Sequence, residues 1–430
     1  MSDSRPTTED ALMSSVRPSP FAGVIERWAV LKPAQRRLAI LVGIRLLLAM
    51  VFILNILPLD LRYGWYLHHG GDQQVMMNLA ESILAGHPVA SLVGIGQPLV
   101  MVPWIALLRP FGGLDFDYFD IVAPLVVING LVLGGLSVWV IGGIVRHTTR
   151  DWPTALWSAG TWAALPLVTY FVFFWHHDPI LLRSANVPKV GWLNGLSDAP
   201  ATFLPMVAVL ALAQLLESDQ RPTTKRMVII GMLLGGAILF RVHVAPMVVF
   251  LFGYVLVAYG WRQFAGAVVG GLVAYLPQAI YNQIVFRFPF TTGYISMNDV
   301  GLWGGTAQRP LIDILTGLPF HPRHVAELAD YFIARRPWLV VPLILILAAT
   351  IIVVVSLWRH QGWRAVALLV GTPLAYIVPM MTAWPFRYDV IRFSLPALPY
   401  LLACCIYAVR RIGRSLPLLS SQHSVGTPQA

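Results

Sequence analysis

WLVVPLILILAATIIVVVSL, residues 338–357, is twenty residues without a single charge. A helix crossing a bilayer needs roughly 20 mostly apolar residues, because no lone-pair or N–H on its backbone meets water there. Nine more segments of this kind run along the chain: 38–58, 121–145, 154–174, 200–216, 227–241, 243–260, 263–284, 365–381 and 393–409. Composition agrees over the full 430 residues, which are 57% hydrophobic and 12% charged, with a mean hydropathy of +0.69. About a quarter of a soluble domain's residues are charged, so this chain has too few to cover a water-facing surface. The fold expected is an all-α polytopic membrane protein of about ten transmembrane helices.

Two local readings shape that topology. The run 227–260 is interrupted by Arg241, Val242 and His243, with Pro246 just beyond, and is too long for one crossing; a tight turn between two spans is expected there. The segment 97–109, QPLVMVPWIALLR, is too short and carries Pro98 and Pro103, so it reads as a re-entrant or interfacial helix. With both termini cytoplasmic, the cytoplasmic segments hold 17 Lys+Arg against 7 Asp+Glu, and the external ones 11 against 13. Positive residues belong inside, so the formal charge of +10 reads as topology and points to no nucleic acid partner. Cys404 and Cys405 are adjacent in an apolar run, poorly placed for an ordinary disulfide.

The expected organisation is a cytoplasmic segment 1–37, a single transmembrane domain 38–409 and a cytoplasmic tail 410–430. The first 20 residues are Ser-, Thr- and Pro-rich and read as disordered. Phe21, Ile25, Trp28 and Leu31 then share a helical face suited to the membrane surface. The external loops are 59–120, 175–199, 285–337 and 382–392. The cytoplasmic loops are short, so chemistry is expected outside.

In the first external loop, His68-His69-Gly70-Gly71-Asp72-Gln73 precedes a helical pattern with Met76, Leu79, Ala80 and Ile83 on one face, stopped at Gly86. Asp72 reads as the N-cap of that helix and, compatibly, as a general base held in place by it. His176, His177 and Asp178 in the second loop suggest a metal site. However, adjacent histidines do not share a helix face, and an ordinary interfacial loop explains them as well. Asp198 stands at the mouth of the next span, as a cap or a functional carboxylate. Arg241, His243, Arg387 and Arg392, with Tyr388 and Asp389 between the last two arginines, are charged or polar groups near membrane depth. Such groups are costly unless they serve a function or snorkel to an interface. Guanidinium forks match phosphate oxygens, so the arginines suit an anionic lipid headgroup. Arg45, near the cytoplasmic end of the first span, is expected to snorkel. The third loop carries Tyr294 and an expected amphipathic helix over 324–336, with Val325, Leu328 and Phe332 resting on the membrane and Arg335 and Arg336 reaching headgroups.

Taken in order, these stretches resemble a family. Gly71-Asp72-Gln73 is followed by the AxxLLxG-like helix to Gly86, the Pro-containing helix from Gln97, and Ser197-Asp198 opening the fourth span. A Gly-rich span leads to Arg241, Tyr281-Asn282 leads through Pro289 to Gly293-Tyr294, and Phe386-Arg387-Tyr388 is followed by Arg392 to Pro396. The chain resembles the GT-C superfamily of membrane glycosyltransferases, in its RgtA-type, dolichyl-phosphate-mannose-protein mannosyltransferase-like branch. It departs from that pattern at Gln73, where many relatives carry Glu.

The resemblance implies a plasma-membrane enzyme with its active site facing the exterior. It would transfer a sugar with inversion from a polyprenyl-phosphate carrier to a hydroxyl on a glycan, lipid or protein. Asp72 would be the base, and Arg241, Arg387 and Arg392 would hold the donor phosphate. Gln73, His176, His177, Asp178, Asp198, His243, Tyr294 and Tyr388 would bind substrate or support those residues. No cofactor follows from it, and a divalent metal is not favoured. The other classes weighed are a transporter or flippase of lipid-linked sugars, an O-antigen-type polymerase or ligase, and an envelope scaffold. Transporters of this size commonly show internal repeats, and the sequence shows none.

Overall fold

The computed structural model describes residues 31–55, 72–112, 116–175, 190–218, 221–291, 293, 322–330, 333–334, 337, 340–381 and 390–415. These residues form helices and connecting turns, with no strand among them.

In chain order the helices are α1 (Pro33–Asn55), α2 (Asp72–Leu84), α3 (Gly96–Gly112), α4 (Tyr118–Thr149, with a π-helical stretch Val127–Leu133) and α5 (Trp152–Trp175). Next come α6 (Asp198–Ser218), α7 (Thr224–Phe240), α8 (Val242–Tyr259, opening with a 3-10 turn), α9 (Trp261–Phe286) and α10 (Pro322–Asp330). The last four are α11 (Val340–Gln361), α12 (Trp363–Met380, with a π-helical stretch Ala367–Gly371), α13 (Val390–Ser394) and α14 (Leu398–Ser415). Seven of them, α1, α4, α6, α8, α9, α11 and α12, are long and apolar enough to cross a membrane. The other expected spans, α5, α7 and α14, are helical as well. The face of α11 explains why such a helix needs lipid: Val341, Ile344, Leu345, Leu347 and Ile351 all stand exposed along it, a contiguous apolar surface that water does not tolerate.

The bundle is built on α4, which packs against α1, α5 and α6; α7 lies between α6 and α9, and α14 closes against α5 and α11. The α7–α9 pair is the tightest, and the sequence dictates it. Gly231 and Gly235 sit four apart on α7, and Gly266 and Gly270 four apart on α9. A Cβ at Gly231 would collide with the backbone of Ala267, one at Gly235 with Gly271, and one at Gly270 with Val228. Backbone therefore meets backbone, the small-xxx-small packing by which membrane helices associate where hydrophobicity gives no drive. The Gly-rich span has this job: it fixes α7, and with it the position of Arg241 at its end.

The expected turn is present. Arg241 leaves the helix in an extended conformation (φ −154°, ψ 110°), the chain turns through the 3-10 opening of α8, Val242–Val244, and continues as α-helix from Ala245. The segment read as re-entrant is α3, which packs against α2, α4 and the end of α7. Gly94 and Gly96 bring the chain onto the backbone of Leu239 and Phe240, beside Arg241.

Two expectations fail. Arg45 does not snorkel; it is 1% exposed. Its Nη1 donates to the Ala163 carbonyl (3.4 Å) and its Nη2 to that of Val190 (3.1 Å), and its guanidinium lies over Trp162. Backbone carbonyls inside the bundle hold both of its Nη groups, so it is anchored in the protein and not at the interface. In the third loop α10 covers Pro322–Asp330 among the described residues, and Leu328 is buried in the core instead of resting on lipid, while Val325 is exposed. Phe332, Arg335 and Arg336, like the surface helix expected around Phe21 to Trp28, lie outside the described residues.

Candidate active site

Asp72 opens α2, and the rest of that helix explains how it is held. Met76, Met77 and Ala80 pack into an apolar cluster with Met101 and Ile105 of α3 and Tyr118 and Ile121 of α4. On another face Leu79 meets Ile95 and Tyr281. Tyr281 Oη donates to the Val89 carbonyl (2.8 Å), and the Ile95 N–H donates to Gln278 Oε1 (2.9 Å). Gln278 Nε2 donates to Asn282 Oδ1 (2.8 Å), whose Nδ2 donates to the carbonyls of Pro289 (3.1 Å) and Thr291 (2.7 Å). The Tyr281-Asn282 pair singled out in the sequence, with Gln278, thus ties the chain between α2 and α3 and the chain after α9 to α9.

Asp198 is presented differently. Residues 190–202 are all buried, so the chain before α6 dips into the protein where its carbonyls meet no water. Side chains supply the missing donors: Arg45 to Val190, Tyr118 Oη to Asn194 (3.1 Å), Gln97 Nε2 to Gly195 (2.6 Å) and Asn129 Nδ2 to Leu196 (3.0 Å). Gly195 has a positive φ (64°), and a Cβ there would strike Tyr118 Oη. Three elements, α1, α3 and α4, therefore fix the loop that delivers Asp198.

The two carboxylates meet two arginines. Arg241 pairs with Asp198 Oδ1, Arg392 Nε donates to Asp198 Oδ2 (3.1 Å), and Arg392 Nη2 donates to Asp72 Oδ2. Exposure rises along this chain, from 2% for the Asp198 side chain through 8% for Arg241 and 14% for Arg392 to 44% for Asp72. The array opens outward at Asp72. Phe393 lies beneath both guanidiniums (4.9 Å to Arg241, 5.8 Å to Arg392), and buried His243 packs its ring against the same phenyl (5.8 Å). Cation–π contacts of this kind strengthen when desolvated.

The structure thus brings together Asp72, Asp198, Arg241, Arg392 and His243, with Gln73 buried beside Asp72 on α2. Asp198, read from the sequence as a cap or supporting group, is the centre of the array. His176, His177, Asp178, Tyr294, Arg387 and Tyr388 lie outside the described residues. Among the described residues no three His, Cys, Asp or Glu side chains cluster as metal ligands, and both carboxylates of the array already face guanidinium cations. The sequence reading missed Gln97, Tyr118 and Asn129. Polar side chains in apolar helices were the available signal, since each needs a partner inside the protein.

No family model and no curated protein matches this chain. A solved structure does: the apo form of the Archaeoglobus fulgidus oligosaccharyltransferase is similar over 94% of this chain and 53% of its own length, with a TM-score of 0.53 and 14% identity. The chain spans about half the length of that enzyme. At that identity the likeness shows the fold alone: the protein has the GT-C fold of that oligosaccharyltransferase.

Proposed function

We propose that this protein is an inverting glycosyltransferase of the RgtA-like branch, moving a sugar from a polyprenyl-phosphate carrier to an acceptor hydroxyl at the external membrane face. The observation that carries the reading is the Asp72–Arg392–Asp198–Arg241 array: a half-exposed carboxylate at the mouth of a site whose deeper part holds two guanidiniums. Asp72 takes the proton of the acceptor hydroxyl as that oxygen attacks the anomeric carbon from the face opposite the phosphate. The bond from the anomeric carbon to the phosphate oxygen breaks, and its electron pair stays on the phosphate. The leaving phosphate gains negative charge, which Arg392 and Arg241 are placed to stabilise; Arg387 is proposed to join them.

In the resting array Arg392 holds Asp72, and a carboxylate paired with a guanidinium is a weak base. A donor phosphate competes for Arg392 and releases Asp72, so the donor binds first. Asp198, shared between both arginines, keeps them in place during the exchange. Gln73 and His243 support the array. His176, His177, Asp178, Tyr294 and Tyr388 are proposed to line the acceptor side. In this reading residues 38–409 act as one transmembrane domain with ten spans in the plasma membrane, supported by the basic excess in the segments assigned to the cytoplasm.

The test is sugar transfer in membranes containing wild-type or Asp72→Asn protein, fed a panel of polyprenyl-phosphate sugars and acceptors. Transfer by the wild type should fall about 10²–10⁴-fold in the variant, with insertion unchanged. Equal turnover by both proteins would move the base elsewhere.

A further inference from the structure

At the other end of α14, about 18 Å of helix away from the site, a second cluster of charges surrounds a cavity of about 120 Å³. That is about four times the ~30 Å³ share of a water molecule in the liquid. Three elements wall it: the α4–α5 turn with Asp151 and Thr154, the end of α11 with His360, and the last turns of α14 with Arg410, Arg411 and Arg414.

The polar contacts inside it are arranged around one carboxylate. Arg414 Nη2 donates to both oxygens of Asp151 (3.2 Å each), and Arg410 Nε approaches Oδ2 (3.7 Å) while donating to Thr154 Oγ1 (3.1 Å). The Thr154 hydroxyl donates to Asp151 Oδ2. From α14 Arg411 Nη2 donates to His360 Nε2 (3.2 Å) on the α11 wall, and His360 Nδ1 donates to the Ser356 carbonyl (2.7 Å). A carbonyl only accepts and a guanidinium only donates, so the ring gives its Nδ1–H to the carbonyl and takes the Arg411 N–H on Nε2. Among the described residues the lining holds the guanidiniums of Arg410, Arg411 and Arg414 and the carboxylate of Asp151. The surrounding side chains leave a polar hollow instead of packing shut.

We propose that this cavity binds a phosphate group. Guanidinium forks match the oxygens of a phosphate better than a lone ammonium would. In the ten-span reading proposed above, the ends of α11 and α14 fall at the depth of the lipid phosphates, where basic pockets between helices take anionic headgroups. Exposed Val409 and Ile412 on the same turns of α14 suit the chains of such a lipid. A free phosphate offers the same oxygens.

The experiment uses the full-length protein in a maltoside detergent, with two probes: inorganic phosphate followed by calorimetry, and short-chain phosphatidylglycerol followed by retention in native mass spectrometry. The proteins compared are wild type, R411Q/R414Q and the charge-keeping R411K/R414K. We expect wild type to bind at least one probe. We expect R411Q/R414Q to bind it at least about tenfold more weakly, as loss of charge-assisted bonds requires, and R411K/R414K to fall in between. Lipid retention without a phosphate response assigns the site to a headgroup, and the reverse assigns it to a soluble phosphate. Binding of neither probe by wild type, or equal binding by R411Q/R414Q, overturns the proposal. Sugar transfer by these variants reads separately, since none of the substituted residues belongs to the Asp72 array.

Discussion

Asp198 faces two guanidiniums with one carboxylate at 2% exposure, and that fixes what its loss does. Removing one partner of a buried ion pair leaves an uncompensated charge, a cost of about 3–5 kcal/mol. Asp198→Leu should therefore lower the thermal midpoint in detergent sharply, while Asp72→Asn, at the exposed end of the same array, should leave it near wild type and remove only transfer. Comparing melting with turnover for the two variants separates the roles: structural for Asp198, chemical for Asp72. Equal loss of stability in both would mean that the exposure gradient does not govern the array. Arg392 is the residue on which the two roles meet. Arg392→Lys keeps the charge but loses the fork that spans Asp72 and Asp198. It should raise the donor KM more than it lowers stability, as measured by donor titration alongside the melting curve.

At the scale of elements, the glycines of α7 and α9 and the buried loop before α6 carry the site. Gly235→Val has nowhere to go, because the obstruction is the backbone of Gly271. Overpacking typically costs about 1–3 kcal/mol, and backbone against backbone puts this position at the upper end. Gly253 in α8 has nothing within 4 Å of an added Cβ, so Gly253→Ala should stay within about 1 kcal/mol of wild type. A protease-resistance midpoint in detergent reads both, and a Gly253 defect as large as that at Gly235 would undo the packing argument. These elements also mark how far the sequence could be read. The helices, α3 among them, and the turn at Arg241 were legible because apolar length and helix breakers are local properties. The pairing of Arg241 and Arg392 with Asp198 joins residues far apart in the chain. It depends on how α6, α7 and α13 converge, which no local pattern encodes. Arg45 was misread for the same reason: its partners at Ala163 and Val190 exist only once α1 has packed against α5 and the buried loop.

Across the whole molecule, the two ends of the bundle hold charge in opposite ways: arginines on shared carboxylates at the Asp72 end, and an arginine-rich cluster around Asp151 at the other. Asp151 closes the bundle there, because it opens α5 and holds Arg410 and Arg414 at the end of α14. Partial burial alone would raise its carboxyl pKa. The hydrogen bonds from Thr154 and Arg414 and the charges of Arg414 and Arg410 outweigh that burial and hold it below the usual carboxylate range. A folded-state value below the unfolded one means that the unfolded chain binds the proton more readily. The clasp then contributes stability fully above the unfolded value, near 4, and loses it as pH falls through the lower folded value. Wild type should therefore melt higher than Asp151→Asn from neutral pH down to about 5. The gap should narrow below about 4 and close once Asp151 is protonated in both states. High salt should shrink the gap at neutral pH, because the arginines are partly exposed. No gap at any pH would assign Asp151 to capping α5 through the Thr154 N–H (3.3 Å), a bond that an asparagine side-chain oxygen also accepts, and not to its charge.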